Sequence, residues 1–271
     1  MLVTRHWGEN RKRYGLAMLA MGGLLAGWDS FMLAMDKNGP LNLFMQYSSF
    51  YIGLYFVGCL YASTIFSELS SKSQSITYLS VPASHLEKLL CAILFGVVLF
   101  FIVYVLIFYM VEIPMVSLAN RIITEEHQTF GGTTVPIGHV EVFNMMALNP
   151  WAPIGDRKYH ILLLGYFAAQ SAFLLGSVYF PRYSFIKTIV AIVSLALLVN
   201  VFMTKVVEAH LPDGWKTYGL FQWNNYTYSS PHLELVTLPG WVEDSLLMLV
   251  RFSVPPVCWV IAYFRLKEKE V

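Results

Sequence analysis

Apolar positions in this chain do not alternate with polar ones; they run together in blocks of about 20 residues, separated by polar strips. A helix of that length spans roughly 30 Å, enough to cross the hydrocarbon core of a bilayer. Six such blocks are present, at about 14–35, 44–66, 86–111, 160–180, 185–204 and 244–264. Each predicts a helix, because an open strand in lipid leaves backbone N–H and C=O groups unmet. The expected fold class is an all-α integral membrane protein with six transmembrane helices, forming one domain over residues 1–271.

Two connections are long. The first, 112–159, begins with the amphipathic segment "MVSLANRII" and contains the glycine-rich turn "FGGTTVP". The second, 205–243, is rich in aromatics, and "LFQWNNYTYS" predicts two short strands turning at Asn224-Asn225. Tryptophan and tyrosine prefer the membrane–water boundary, so both loops are expected to fold against the outer surface.

Composition supports this class: 56% of residues are hydrophobic and 13% charged, against roughly 25% charged in soluble domains. The net charge of +1 says little until the charges are assigned to loops. With the N-terminus in the cytoplasm, eleven basic residues fall inside (Arg5, Arg11, Lys12, Arg13, Lys72, Lys88, Arg182, Lys187, Arg265, Lys267 and Lys269) and six outside. That excess places both termini on the cytoplasmic side of the membrane. The basic start also suits a secretory signal, but the length of the first block, Asp29 within it and the following "DKNGP" favour a retained span.

Charged residues inside spans are costly and usually face protein or water. Asp29 and Arg251 each lie roughly 10 Å below the outer end of their helices. They are predicted to pair if the first and last spans are neighbours, either as a clamp between helices or as a gate. Pro255-Pro256 predicts a kink in the last helix, and Gly22, Gly23 and Gly27 give the first a small-residue face for close packing.

Known chemical signatures are absent. The chain has no G-x-x-x-x-G-K-[ST], H-E-x-x-H or G-x-S-x-G, so neither nucleotide binding nor hydrolysis by these arrangements is expected. Cys59, Cys91 and Cys258 sit in apolar runs without metal-ligand spacing. His127 beside Glu125 and Glu126 reads as a solvated loop cluster. No catalytic residue, metal or nucleic-acid partner is expected.

The polar strip 66–90, "FSELSSKSQSITYLSVPASHLEKLL", carries more information. Ser84-His85-Leu86-Glu87 fits the S-x-x-E capping box, and Pro82 biases Val81 away from helix, so a helix is expected to start at Ser84. Ahead of it, Phe66, Leu69, Ile76 and Leu79 could line a short helix lying on the membrane surface.

The order "F-x-E-L … Y-L-x-V-P-A-S-x-x-E-K" after the second span resembles the cytoplasmic element of type-2 ABC exporter permeases. "GSVYFPRYSFIKT" (176–188) is similar to their short turn between spans four and five. Where the family carries "G-T" before a leucine pair, this chain has "S-I-T-Y-L". The resemblance implies that Glu68, Tyr78, Leu79, Pro82, Ser84, Glu87 and Lys88 form an element contacting a separate cytoplasmic ATPase subunit, with Arg182 and Lys187 near it. It further implies a place in a bacterial inner membrane, and two permease copies or one copy and a related chain. ATP and magnesium would reside on the ATPase, with no cofactor on this chain. The rival reading is a binding or sensory membrane protein that uses its outer loops for recognition.

Overall fold

The computed structural model describes residues 2–35, 41–67, 84–123, 127–130, 133–136, 139–145, 157–180, 182–207, 215–217, 222–225, 234–237 and 240–268. Helix α1 covers Leu2–Met35 and α2 Leu43–Thr64. A third rod follows, made of α3 (His85–Ile93), a π-helical segment Leu94–Leu99 and α4 (Phe100–Ile123). Then come α5 (Arg157–Tyr179), α6 (Ser184–Phe202, prolonged by a π-turn at Met203–Val207) and α7 (Gly240–Glu268).

Five helical stretches among the described residues are long and apolar enough to cross a membrane: Tyr14–Met35, Leu43–Thr64, His85–Arg121, Leu162–Tyr179 and Ser184–Val206. They correspond to the first five expected blocks, and the expected sixth lies within α7. That helix continues through Pro255 and Pro256.

Two boundaries differ from expectation. The third rod does not end near residue 111. It runs to Ile123 and takes up both Pro114 and the amphipathic segment assigned to the loop. A proline costs the helix one hydrogen bond but need not end it where the preceding turn packs well, and Phe108, Glu112 and Val116 are all buried there. In the second loop, Asn224-Asn225 is not a turn. Both residues lie in β4 (Gln222–Asn225), paired with β3 (Trp215–Thr217) on one side and β5 (Glu234–Thr237) on the other, so their backbone groups are engaged by two neighbours. In the first loop β1 (His127–Phe130) pairs antiparallel with β2 (Thr133–Pro136).

The helices bury two clusters. One joins Met21 and Leu25 of α1, Phe50 and Leu54 of α2, Tyr104 and Phe108 of α4, Tyr166 of α5 and Phe143 of the first loop. The other gathers Ala62 of α2, Leu89 and Ala92 of α3, Leu174 and Val178 of α5, and Ala262 and Leu266 of α7 at the opposite end of the bundle. Among its described residues α6 buries only Thr188, leaving Ile192, Leu195 and Leu198 bare.

Candidate functional site

The third rod begins as its sequence predicts. The Ser84 N–H donates to Glu87 Oε2 at 3.0 Å and the Glu87 N–H donates to Ser84 Oγ at 3.2 Å. This reciprocal pair meets two helix-end donors that would otherwise need water. Glu87 is exposed, whereas Lys88 is buried in the same turn. Leu89 and Ala92, on the buried face of α3, enter the cluster that holds Leu266 near the end of α7. The capped start is thereby fastened to the last helix.

The turn between α5 and α6 reaches the same end of the bundle, since Phe185 packs on that cluster. Arg182 is exposed, and the Lys187 ammonium lies 5.9 Å from the Phe180 ring centroid. Tyr183, exposed at the head of α6, adopts the left-handed conformation with φ of 56°, a geometry that bulky residues seldom occupy. On α7, Arg265 pairs with Glu268 at 2.6 Å and lies over the Tyr179 ring. Thus Ser84, Glu87 and Lys88 share one end of the molecule with Arg182 and Lys187. Glu68, Tyr78, Leu79 and Pro82, and with them the expected surface helix, lie outside the described residues.

Above the capped start, the π-helical segment displaces the backbone from regular α geometry. The Gln170 side chain on α5 donates to the Gly96 carbonyl within this segment at 2.6 Å, in a fully buried position. Short π-helical segments inside α-helices recur at functional sites.

The opposite end is closed by a strap, residues 139–145. Buried Gln46 donates to the carbonyls of Leu41 (2.7 Å) and Glu141 (3.0 Å), and its own oxygen accepts from the Phe143 N–H (2.6 Å). Asn120 holds Val140 by a two-way bond of 2.9 and 2.8 Å, and Tyr109 accepts from the Met145 N–H at 3.0 Å. Phe143 inserts among Tyr47, Phe50 and Phe108. Sequence reasoning missed this strap, because a lone glutamine within an apolar run does not reveal what it will meet.

Between α1 and α2 lies a groove of about 530 Å³, lined by Leu25, Trp28, Phe44, Ile52 and Phe56, with Tyr104 at its back. Its volume is that of a small-molecule site, and its walls are nearly all apolar.

Asp29 is buried on α1, where its carboxyl meets that of Glu112 on α4. The packing places α1 mainly against α4 and α7 mainly against α5. The Arg251 side chain lies outside the described residues, and with it the expected Asp29–Arg251 pair. By sequence Glu112 stands at the first position of the loop 112–159, and the continuation of α4 through Pro114 carries it into the bundle instead. Among the described residues no group of three or more histidine, cysteine or acidic side chains could hold a metal.

Compared with protein-family models, characterised proteins and solved structures, the chain matches none.

Proposed function

We propose that this chain is the membrane-spanning permease subunit of an ABC exporter of the second type. In this reading α7 is a sixth span, both termini face the cytoplasm of a bacterial cell, and the strip 66–90 docks a separate ATPase subunit that holds ATP and magnesium. Closure of that subunit shifts the third rod and moves substrate outward. The permease biases a conformational equilibrium and does no covalent chemistry. A second copy, or a related permease, covers the bare face of α6.

The observation that carries the proposal is the start of the third rod. It is closed by its own capping box, presents Glu87 outward, and is tied through Leu89 and Ala92 to the cluster containing Leu266 and bordered by Phe185. A force applied at Glu87 reaches three helices without passing through a loop, and the π-helical segment around Gly96 lies two to three turns further along the same rod.

The test is a pull-down of the tagged protein in mild detergent, with partners identified by mass spectrometry. An ATPase bearing the G-x-x-x-x-G-K-[ST] loop is expected on the wild type. It is expected to be lost from Glu87→Lys and Pro82→Leu variants that insert normally. Recovery of membrane or soluble partners with no ATPase would overturn the proposal.

A further inference from the structure

The buried face of α1 repeats every four residues, at Met21, Leu25 and Asp29. That of α4 does the same at Tyr104, Phe108 and Glu112. Two four-residue stripes packed side by side bring their last members together, and the carboxyls of Asp29 and Glu112 meet within hydrogen-bonding reach. Asp29 is 1% exposed and Glu112 0%.

A second observation is independent of this meeting. Among the described residues no donor reaches any of the four carboxyl oxygens. Tyr104, the titratable group on the same stripe of α4, spends its hydroxyl on the Phe50 carbonyl at 2.9 Å. Met21 and Leu25 of α1 offer nothing. Among the described residues the carboxyls can therefore form a hydrogen bond only with each other, and that bond needs a hydrogen that neither anion has. Two bare anions meeting in this way would repel each other strongly, beyond the cost of placing each within a span. One proton between them removes the repulsion and creates a short charge-assisted O–H···O bond.

We propose that Asp29 and Glu112 form an intramembrane proton-binding site, a carboxylic acid hydrogen-bonded to a carboxylate, joining the first span to the third. The site takes a proton and no larger ligand, since both side chains are sealed from the surface. It lies close to the groove between α1 and α2, which is lined by Leu25, one turn before Asp29 on α1. Nothing in it depends on an ATPase partner.

Infrared spectroscopy of the full chain reconstituted in liposomes at neutral pH tests the proposal. The wild type is expected to show the C=O stretch of a protonated carboxyl, shifted in heavy water. The band is expected to disappear in both Asp29→Asn and Glu112→Gln, where the amide supplies the donor and the remaining carboxyl ionises. Isosteric amides keep the packing, and circular dichroism checks that they fold. A wild-type spectrum without the band overturns the proposal whatever the variants do, and so does a band unchanged in both. Absence of the band together with sodium-dependent thermal stabilisation would reassign the pair to a metal cation.

Discussion

Gln46 shows how much a single side chain can hold in a chain of this kind. All three of its hydrogen bonds go to backbone groups, two of them in the strap. Gln46→Leu keeps the apolar face of α2 but leaves two carbonyls and one N–H without their partner. Unmet buried groups cost about 1–3 kcal/mol each, so the melting temperature in detergent is expected to fall by several degrees. Proteolysis within 139–145 should rise at the same time, and an unchanged cleavage pattern would show that Phe143 alone seats the strap. The residue scale is also where the sequence was least legible. Gln46, Asp29 and Glu112 are each an isolated polar letter in or beside an apolar run, and their meaning lies in partners up to 97 positions away. Ser84 was legible because its partner is three residues along.

At the scale of elements, block length located the helices well. Spanning requires about 20 apolar residues whatever the tertiary context, and the first five expected blocks each coincide with a helix among the described residues. The ends were less legible, since α4 passes Pro114 for reasons of packing that local propensity does not contain. Packing also decides which glycines matter. Gly22, on the face singled out by sequence, only approaches Ile107 of α4. Gly58, in the middle of α2, is crowded: a Cβ there would come 2.8 Å from the Tyr166 ring and 3.0 Å from Gln170 of α5. In membranes, close backbone approach at small residues is a main source of helix association. Gly58→Val is expected to force α2 from α5, lowering the yield of monodisperse protein several-fold and costing about 1–3 kcal/mol of stability, whereas Gly23→Val, with open space around it, should leave both unchanged. Size-exclusion profiles and melting curves of the two variants make the comparison.

For the whole molecule, the arrangement is polarised. One end carries the capped start of the third rod, the α5–α6 turn and the end of α7 around one cluster. The other end is closed by the strap. Between them lie the π-helical segment, the groove and the acidic pair. Such a layout suits a protein pushed from one end, which is the central claim of the permease reading. The measurement that addresses it most directly is photo-crosslinking in native membranes from an unnatural residue at position 87, with position 241 on the far end of α7 as control. The account predicts an adduct from position 87 containing a cytoplasmic ATPase, and none from position 241. Adducts from position 87 that contain only lipid, or the same ATPase captured equally from both positions, would contradict it.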